Sequence, residues 1–457
     1  MAKKKQIELT IEEKLQNALV PKEEQPYKIP SNWCWLYSNF VVDVRDGTHD
    51  TPKYISEGYP LITSKNLKNN NIDFDKVNYI SKEDYEKINL RSKVDIGDVL
   101  FSMIGTIGNP VLIKGQTNYA IKNVALFKDI NLINMTFFRF YLETKFVIDK
   151  MKKEAKGSTQ KFVSLKYLRN FPICYPSLEE QQRIVNRIES LFAKLDRAKE
   201  LIENTLAQWE QNKMAILHKA FTGELTVKWR KENNIDLSSW EIVSIKDIGE
   251  VKGGKRLPKG EMLVNENTGH PYIKAGNLKN GTVAFNDLQY LKPQVYEKIK
   301  KYIVKENDVY ITIVGACIGD VGIIPKEVNG ANLTENAAKI TNLKCNAKFL
   351  SIQLSISSVQ KQIKGKIASA TLGKLSLQNI KNIQIKMPTI EEQQEIVNIL
   401  EKLLAKYNKI KNLEQQLEKI ELLKKAILAK AFRGELGTNN PDEESAENLL
   451  KEILAEK

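Results

Sequence analysis

Residues 176–194 read PSLEEQQRIVNRIESLFAK, and residues 388–406 read PTIEEQQEIVNILEKLLAK. A second pair of similar segments follows them, because ILHKAFTGEL at 216–225 returns as ILAKAFRGEL at 427–436 with eight matches in ten. The offset between the copies falls from 212 to 211 residues, so the second copy lacks one residue. Self-similarity at this spacing indicates a duplicated unit of about 210 residues.

Each repeated segment begins with a helix-start signal. Ser177 and Thr389 follow a proline and are predicted N-caps, with Glu180 and Glu392 three residues later, as a capping box requires. Each copy is therefore predicted to form one helix of about 44 residues, roughly 65 Å long.

The predicted helices end at glycines, Gly223 and Gly434, and their apolar positions step by threes and fours like the seam of a coiled coil. The first seam comprises Ile184, Ile188, Leu191, Leu195, Ala198, Ile202, Thr205, Trp209, Asn212 and Ile216. The second comprises Ile396, Leu400, Leu403, Tyr407, Ile410, Leu413, Leu417, Ile420, Leu423 and Ile427, and slips in phase at two places. The simplest arrangement is an antiparallel pair with a pseudo-twofold internal repeat. The alternative is two unrelated amphipathic helices on separate cores.

The regions before the helices repeat more faintly. GYPLITSKNLKN at 58–69 matches GHPYIKAGNLKN at 269–280 at seven of twelve positions, and DVLFSMIGTIG at 98–108 resembles DVYITIVGACIG at 308–319. Strands are predicted at Tyr59–Thr63, Asp98–Ile104, Asp308–Val314 and Gln384–Met387, and a helical pattern at 344–364. The fold class is α/β (mixed α+β), with two variable domains separated by long antiparallel helices. The predicted segments are 1–26 (helical), 27–175 (first variable domain), 176–226 (central helix), 227–387 (second variable domain), 388–437 (distal helix) and 438–457 (acidic helical tail). Either terminal segment is expected to dock on the long helices or on a partner.

Composition limits the possible functions. The chain has 70 Lys and Arg against 56 Asp and Glu, a formal charge of +14, which favours a polyanionic partner, although solubility alone also explains such a charge. No apolar run is long enough for a membrane span, and the first residues lack the apolar stretch of a signal peptide. Four scattered cysteines and three histidines predict neither disulfides nor a metal centre, and favour the cytoplasm.

Motifs for catalysis are absent from the sequence. It contains no GxxxxGK[ST] phosphate loop, no NPPY-like methyltransferase tetrapeptide and no glycine-rich dinucleotide turn. Asp247, Glu250 and Lys252 resemble a nuclease cluster only weakly, because no second carboxylate motif accompanies them. His49 likewise has no partner motif, and it is predicted to be a loop residue that contacts a base or phosphate. The sequence therefore predicts that the chain is not an enzyme and that it holds no cofactor or metal.

Several loops carry the side chains that DNA contacts need, namely Lys and Arg for phosphates and Arg, Asn, Gln, Ser or Thr for bases. In the first variable domain the predicted contacts are Arg45, Thr48, His49, Lys53, Ser64, Lys65, Asn66, Lys68, Ser158, Thr159, Gln160 and Lys161. In the second they are Lys252, Lys255, Arg256, Lys259, Lys274, Asn277, Lys279, Ser369, Thr371 and Lys374. For any one lysine the alternative is a solvated surface charge, and Asn66 and Asn277 are alternatively turn residues.

Taken together, the motifs resemble the specificity subunits of type I restriction-modification systems. The resemblance rests on GTHDTP at 47–52, PLITSKNL at 60–67, GSTQ at 157–160, the P-x-x-EEQQ-x-IV segments at 176–185 and 388–397, and KAFTGEL and KAFRGEL at 219–225 and 430–436. It covers nearly the whole chain. One departure is TLGKLS at 371–376, where the first domain has STQKFVS, so that this loop is expected to touch DNA differently.

The resemblance implies that each variable region is a target recognition domain for one half of a bipartite, asymmetric double-stranded DNA site. The paired helices would set the spacing and dock two methyltransferase subunits, and restriction/translocase subunits would join them. S-adenosylmethionine, ATP and Mg²⁺ would belong to those partners. Residues predicted to face a partner, or else the coiled-coil interior, are Glu180, Gln181, Arg183, Arg187, Glu392, Gln393 and Glu395. Alternatives are a coiled-coil scaffold that bridges two proteins, and a stand-alone nuclease or methyltransferase.

Overall fold

The computed structural model describes residues 10–157, 160–367 and 373–456. They form two compact units, unit 1 (Met1–Ile202 with Glu414–Lys457) and unit 2 (Glu203–Leu413). The central helix, Leu178–Thr222, and the distal helix, Ile390–Ala431, each contribute one part to unit 1 and the other to unit 2. The predicted long helices are therefore confirmed, and each compact unit contains a variable region with parts of both.

Unit 1 surrounds the first variable region. Its further α-helices are Ile11–Ala18, Ser38–Val41, Lys82–Ser92, Met135–Glu143, Lys145–Glu154, Leu165–Arg169 and Ala446–Glu456, with 3-10 turns at Lys22–Glu24 and Ser64–Asn66. Its strands are Cys34–Tyr37, Val42–Asp46, Tyr59–Ile62, Leu67–Lys68, Asn71–Ile72, Asn78–Ile80, Val99–Ser102, Gly108–Leu112, Ala120–Ile121, Val124–Asp129 and Pro172–Tyr175.

Unit 2 has a matching set of elements. Its further α-helices are Val227–Glu232, Ile245–Ile248, Pro293–Ile299, Ala347–Ser355, Ser357–Gly365 and Leu377–Lys381, with 3-10 turns at Leu237–Ser239, Ala275–Asn277, Lys300–Tyr302 and Lys326–Val328. Its strands are Glu241–Ser244, Glu250–Gly253, Pro271–Ile273, Leu278–Lys279, Thr282–Val283, Gln289–Tyr290, Val309–Thr312, Val321–Ile323, Asn332–Leu333, Ala337–Thr341 and Gln384–Met387. All four predicted strands are confirmed within one or two residues at each end, and the helical pattern at 344–364 forms two helices rather than one.

The two variable regions share one sheet topology. In unit 1 a four-stranded antiparallel sheet runs in the spatial order Val42–Asp46, Val124–Asp129, Val99–Ser102, Gly108–Leu112. In unit 2 the order is Glu250–Gly253, Ala337–Thr341, Val309–Thr312, Val321–Ile323. A three-stranded sheet built on Tyr59–Ile62 or Pro271–Ile273 and two two-stranded sheets complete each unit. The faint sequence repeat therefore reflects a duplicated fold.

The central strands of both four-stranded sheets are buried on both faces, which explains why they appear in the sequence as continuous apolar runs. Val99–Ser102 and Val309–Thr312 are buried at every position. One face of the unit 1 sheet packs on the helix Met135–Glu143, where the rings of Phe127 and Phe138 meet edge to face at 5.0 Å. Burial of such side chains removes apolar surface from water and stabilises each unit by roughly 25 cal/mol per Å².

Hydrogen bonds at the helix starts confirm the predicted N-caps. The Glu180 amide donates to Ser177 Oγ at 3.2 Å, and the Glu392 amide donates to Thr389 Oγ1 at 3.3 Å. The reciprocal half of each capping box is wrong, because both glutamate side chains bind partners outside the cap. At the other ends, the predicted glycines Gly223 and Gly434 adopt positive φ, at 86° and 73°.

The two long helices run antiparallel in unit 1, where Lys199 Nζ lies 3.1 Å from Glu421 and Lys424 Nζ lies 2.5 Å from Asp196. The predicted second seam is wrong at Leu423, which is exposed. Its place is taken by Lys424, whose stem is half-buried and whose Nζ lies 5.1 Å from the centroid of the Phe192 ring. A lysine covers apolar surface with its methylene groups, so a scan for apolar residues missed the regular step of four.

The remaining described seam positions follow the prediction except at one residue. Asn212 is exposed, and the side chains of Tyr407 and Ile410 lie outside the described residues. In unit 2 the same antiparallel pairing brings Ala220 into one apolar cluster with Leu400. Both long helices contribute to one apolar cluster in each unit, so the predicted coiled-coil pair is confirmed and the alternative of two unrelated helices on separate cores is wrong.

Both terminal segments dock within unit 1. The helices Ile11–Ala18 and Ala446–Glu456 contact each other, and Leu15 and Leu450 are buried in the same cluster as Phe432 at the end of the distal helix. The mixed α+β class, the long antiparallel helices and the internal repeat are confirmed. Within residues 10–157, 160–367 and 373–456, the helices are too short or too polar to cross a membrane.

Candidate nucleic-acid interface

A tightly held loop, residues 47–53, follows the first strand of the unit 1 sheet. The amide of Thr48 donates to the carbonyl of Ile121 at 3.0 Å, and a Cβ at Gly47 would lie only 2.3 Å from that same oxygen. Lys122 Nζ then binds the carbonyls of His49 and Asp50 at 3.0 and 2.7 Å. Backbone hydrogen bonds and one lysine therefore hold the loop in place. The side chains of residues 49–51 and of Lys53 remain exposed.

His49 is the exposed side chain at the centre of this loop. Its Nδ1 lies 2.9 Å from Asn123 Oδ1, and its Nε2 lies 2.9 Å from Asp46 Oδ2. Asp46 is buried and also binds Arg91. The ring is thus oriented by two neighbours that engage both of its nitrogens, and the side chain remains 61% exposed.

Other predicted contacts in this part of unit 1 differ in how free they are. Arg45 lies on the strand and donates from Nε to Asp43 at 2.8 Å, whereas Lys53 is exposed. Ser64 donates to the carbonyl of Asn123 at 3.3 Å, so the 60–67 segment and the 47–53 loop meet at that residue. Sequence reasoning missed Asn123, because a lone asparagine between two strands carries no motif.

The corresponding loop of unit 2 follows Glu250–Gly253 and begins with the same two backbone hydrogen bonds. Lys255 donates its amide to Leu333 at 2.8 Å, and a Cβ at Gly254 would lie 2.0 Å from the carbonyl oxygen of Thr334. Because Lys255 makes the bond that Thr48 makes in unit 1, the next residue, Arg256, corresponds to His49.

Arg256 is paired with a carboxylate in the free protein. Its Nε donates to Glu335 Oε1 at 2.7 Å, and this hydrogen bond raises the pKa of the guanidinium. Partial burial pushes the pKa of Glu335 upward, but the hydrogen bond and charge of Arg256 outweigh it and hold that pKa below its ordinary value. The side chain of Arg256 remains 80% exposed, so the pair lies at the surface.

Nearby cations of unit 2 divide into paired and open ones. Lys252 lies 2.6 Å from Glu250, which lowers the pKa of that carboxyl, and the Lys255 ammonium lies 5.5 Å from the centroid of the Tyr302 ring. Lys259 is exposed. The Tyr272 hydroxyl donates to the carbonyl of Lys255 at 2.9 Å, which joins this loop to the strand before the NLKN turn.

The two NLKN asparagines are turn residues, and their prediction as DNA contacts is wrong. Asn66 and Asn277 are buried, and each amide oxygen accepts a backbone N–H three residues earlier at 3.0 Å. Each amide nitrogen donates to two carbonyls of the following loop. With these bonds made, neither side chain has a group to offer DNA, and the turn itself is the duplicated feature.

Ser64 and the lysines around these turns remain candidates for DNA contact. Lys65 and Lys279 are exposed, and Lys68 lies 2.7 Å from Asp73, whose pKa it lowers. Lys274 is half-buried and donates to Gln289 at 3.0 Å.

The third predicted loop (158–161 in unit 1, 369–374 in unit 2) is anchored just beyond the end of the strand Val99–Ser102 or Val309–Thr312. In unit 1 the segment closes through reciprocal bonds between Lys156 and Phe162, with Gln160 and Lys161 exposed between them. In unit 2 Lys374 is exposed and bridges Val314. The predicted contacts Ser158, Thr159, Ser369 and Thr371 lie outside the described residues.

Buried EEQQ residues explain the strongest sequence repeat, and their prediction as partner contacts is wrong. Gln181 and Gln393 are buried, and their amides bridge the carbonyl of the preceding proline and the backbone N–H of Asn134 or Asn346. Those asparagines cap the helices Met135–Glu143 and Ala347–Ser355. The glutamines therefore lock each long helix onto its own variable region.

Glu180 and Glu392 have an equally internal role. In unit 2, Glu392 is fully buried and accepts hydrogen bonds from Thr226, Arg230 and Trp240 at 2.6, 2.6 and 2.9 Å. Thr226 belongs to the segment that follows the central helix, so this carboxylate joins the start of one long helix to the end of the other. Sequence reasoning missed Arg230 and Trp240, because neither residue lies in one of the repeated motifs.

In unit 1 the equivalent carboxylate is also buried, but its arginine partner is partly exposed. Glu180 binds Thr438 Oγ1 at 2.7 Å and Arg183 Nε at 2.9 Å, and burial raises the pKa of its carboxyl. Arg183 also binds Glu443 at 2.6 Å. Of the residues predicted to face a partner, Arg187 is exposed and Glu395 half-buried, which keeps them as candidates.

Known proteins with similar sequences and folds fit this architecture. The family model described as the type I restriction modification DNA specificity domain matches residues 47–207 and 238–422. The type I restriction enzyme EcoBI specificity subunit of Escherichia coli is 29% identical over 339 residues, which span 70% of this chain and 71% of that subunit. The EcoKI specificity subunit of Escherichia coli strain K12 is 24% identical over 467 residues, 94% of this chain and 96% of that subunit.

A solved structure shares the fold. It comes from work on complex assembly and conformational transition of the type I R-M system, and it superposes with a TM-score of 0.69 at 18% identity, covering 90% of this chain and all of that one. Two matches of one family model, one in each duplicated unit, cover most of the chain. The chain therefore belongs to the type I restriction-modification specificity subunit family, whose members read DNA target sites.

Proposed function

We propose that unit 1 and unit 2 each read one half of a bipartite, asymmetric double-stranded DNA site, and that the chain itself catalyses no reaction. The observation that carries this proposal is the pair of loops at 47–53 and 254–259, which begin with the same two backbone hydrogen bonds but present His49 in one unit and Arg256 in the other. Equal frames with different side chains suit two readers of different sequences. Exposed cations beside them, such as Lys53 and Lys259, suit phosphate contacts.

Replacing Lys255 and Arg256 together by alanine tests the DNA contact. Each lost phosphate contact lowers the slope of log K against log salt by about 0.9, so the slope falls by up to roughly 1.8. The control is Lys326→Ala, an exposed lysine on the turn Lys326–Val328. If the double variant keeps the slope of the control, this loop does not bind DNA.

The paired helices are proposed to set the distance between the half-sites. Because Lys199 meets Glu421 and Asp196 meets Lys424, an insertion in one helix must be matched in the other. Seven residues added after both Ala198 and Glu421 lengthen the pair by about 10 Å and keep the seam, which corresponds to at most about three base pairs. Mapping methylated bases reads the spacer directly, and an active variant with an unchanged spacer would refute the ruler.

Two methyltransferase subunits and restriction/translocase subunits are proposed to join this chain in the cytoplasm and to supply S-adenosylmethionine, ATP and Mg²⁺ chemistry. Arg187 and Glu395 are the described candidates for contact with them. Incubation of the purified chain with DNA, Mg²⁺, ATP and S-adenosylmethionine is expected to give neither cleavage, hydrolysis nor methylation. Robust activity of a homogeneous preparation would contradict the non-catalytic role.

A further inference from the structure

A segment at the start of the chain, the N-terminal arm (residues 10–29), covers a groove of unit 1. After the helix Ile11–Ala18, the amide of Val20 donates to the carbonyl of Trp35 at 2.9 Å, and Leu19 bridges Leu36. The arm thereby adds one more antiparallel pairing to the strand Cys34–Tyr37. As a result Trp35 is only 1% exposed.

Tyr27 of the arm fills the groove beside that strand. Its ring meets the rings of Trp35 and Phe146 edge to face at 4.9 and 5.2 Å, and its hydroxyl lies 4.0 Å from Cys174 Sγ. Arg433 lies 5.5 Å from the ring centroid. Burial raises the pKa of Tyr27, in keeping with a side chain enclosed on several sides.

The internal repeat identifies the same place in unit 2. Cys34 lies opposite Tyr175 and Glu241 lies opposite Met387, so the strand Glu241–Ser244 corresponds to Cys34–Tyr37 and Ile242 corresponds to Trp35. Ile242, however, is 69% exposed. Across the described residues of unit 2, no backbone N–H donates to its carbonyl.

A groove with a volume of about 870 Å³ lies beside Ile242. Its apolar lining includes Phe221 and Ile356, with Met214 at 59% exposure. By register, Lys386 of this lining corresponds to Cys174, one of the residues that contact Tyr27 in unit 1. The unit 2 groove is therefore the counterpart of the one that the arm fills.

A buried polar atom marks the same groove as incomplete. Gln353 lines it and is 2% exposed, and its Nε2 donates to the carbonyl of Lys386 at 2.7 Å. Its Oε1 is buried and has no hydrogen-bond partner within the described residues. An unmatched buried acceptor is unfavourable, so an occupant that supplies an N–H or O–H group as this amide turns toward the groove would be stabilised.

Charges at the groove define the occupant further. Lys361 and Lys386 line it and are exposed, and together with Lys213 they outnumber its one lining carboxylate, Glu210, so the rim carries net positive charge. The described chain has two such grooves but only one arm. If the arm of a second copy filled the unit 2 groove, the unit 1 groove of that copy would be left open. A segment of a different protein fills the unit 2 groove and leaves the described arm in its own.

We propose that this groove binds an extended segment of a partner protein. The segment pairs with the free edge of Glu241–Ser244, places an aromatic or large aliphatic side chain over Phe221 and Ile356, and directs carboxylates at Lys361 and Lys386. Addition of a strand to an exposed sheet edge is an established mode of peptide recognition, with affinity from the backbone and specificity from side-chain pockets.

The probe is a fluorescent peptide with the sequence of residues 17–29 carrying Lys22→Glu and Lys28→Glu, and the receptor is the full chain. We expect saturable binding by fluorescence anisotropy. Methylation of the peptide nitrogen at the valine that corresponds to Val20 removes the donor to Ile242 and should weaken binding about fivefold, the value of one hydrogen bond. Equal affinity of the methylated peptide would refute strand pairing.

Receptor variants locate the binding site. Ile242→Asp should weaken the probe at least about tenfold, whereas Met262→Asp, a matched change at a residue that is 76% exposed and does not line the groove, should not. Lys361→Glu with Lys386→Glu should weaken it similarly, compared with Lys326→Glu as control. The proposal fails if no saturable binding occurs, or if Ile242→Asp binds like its control, which would place the probe in the unit 1 groove.

DNA binding provides the last control. Ile242→Asp is expected to keep the DNA affinity of the parent chain, which also shows that the variant is folded. Loss of DNA affinity in a folded Ile242→Asp variant would make the groove a nucleic-acid surface and overturn the proposal. The proposed reading of DNA by unit 1 and unit 2 stands or falls separately, on the loops at 47–53 and 254–259.

Discussion

The loops that follow Val42–Asp46 and Glu250–Gly253 begin with the same backbone hydrogen bonds and differ in their charges. The amides of Gly47 and Gly254 donate at 3.0 Å to the carbonyls of Val124 and Ala337 on the adjacent strand of the sheet. Neither glycine has room for a Cβ. One residue beyond the shared bond, His49 faces Asn123 in unit 1, while Arg256 faces Glu335 in unit 2. Buried backbone contacts thus fix the loop, and exposed positions vary without cost to the frame.

The starts of the two long helices show the opposite balance. Glu180 and Glu392, with the glutamines after them, keep the same side chains because these are buried and tie together several segments. Even there the surroundings differ, since Arg230 is buried beside Glu392 whereas Arg183 beside Glu180 is partly exposed. Duplicated sequence therefore marks the positions where burial leaves few alternatives.

The largest expected effect tests this difference at the helix starts. Glu392→Ala leaves Arg230 buried without its counter-ion and should lower the free energy of unfolding of unit 2 by about 3–5 kcal/mol. Glu180→Ala should cost unit 1 less, about 1–3 kcal/mol, because Arg183 keeps Glu443 and some solvent. Urea unfolding with hydrogen exchange assigned to each unit measures both.

A double variant gives the control for that prediction. Glu392→Ala with Arg230→Met removes both charges and should recover much of the lost stability, since an apolar pair in place of a buried ion pair is often nearly neutral. Equal losses in Glu180→Ala and Glu392→Ala, or no recovery in the double variant, would remove the distinction between the two helix starts.

The next effect tests the shared loop frame. Gly47→Ala and Gly254→Ala place a Cβ at 2.3 and 2.0 Å from backbone oxygens, and each should lower the free energy of unfolding by about 1–3 kcal/mol. Gly276→Ala is the matched control, because a Cβ there meets nothing within 4 Å and should change stability by less than about 0.5 kcal/mol. Thermal unfolding of the three variants measures these differences in stability. A Gly254→Ala variant as stable as Gly276→Ala would show that the loop backbone moves to accommodate the added Cβ.

A charge exchange between the loops should have a smaller effect, on DNA affinity. Glu335→Asn removes the carboxylate beside Arg256 and should tighten DNA binding about twofold to fivefold, whereas Asn123→Glu beside His49 should weaken it by a similar factor. Glu327→Asn, an exposed change on the turn Lys326–Val328, serves as control. Both shifts should shrink at high salt because exposed charges are screened. Shifts of the same sign in the two loops would contradict equivalent roles.

The smallest effect is a pH dependence of the unit 2 loop. Arg256 holds the pKa of Glu335 below its ordinary value against the opposing effect of partial burial. A carboxyl whose folded pKa is depressed stabilises the loop above its unfolded pKa, and that contribution is lost as the pH falls through the folded pKa. Since the pair is at the surface, the contribution should stay under about 1 kcal/mol.

Carboxyl ¹³C shifts of Glu335 follow this titration, and Arg256→Ala should move the pKa of Glu335 upward. The unit 1 loop has Asn123 in the equivalent place and should show no matching transition from that side chain. A Glu335 pKa that is unchanged in Arg256→Ala would mean that another group holds the carboxylate.

Local patterns in the sequence were sufficient for much of the fold. The repeat, the caps at Ser177 and Thr389, the ends at Gly223 and Gly434, and the strand Gln384–Met387 all follow from backbone preferences or from the period of apolar residues. These signals depend on neighbours in the chain, so they can be recognised without knowledge of the fold. The seam failed at Leu423, because Lys424 buries its stem and an apolar scan cannot register it.

Burial of polar groups was decided only by the tertiary structure. The repeated residues Glu180 and Glu392 look like surface charges in an amphipathic helix, yet each meets a hydroxyl from the segment after the other long helix, at Thr438 or Thr226. Asn66 looks like a base contact until its amide is seen to close a turn. Similarly, neither Cys34–Tyr37 nor Glu241–Ser244 was predicted as a strand, and only the fold shows that one edge is covered and the other is open. The physical reason is that hydrogen-bond partners distant in sequence are brought together by packing, whereas the sequence reports directly on helix periodicity, caps and turns.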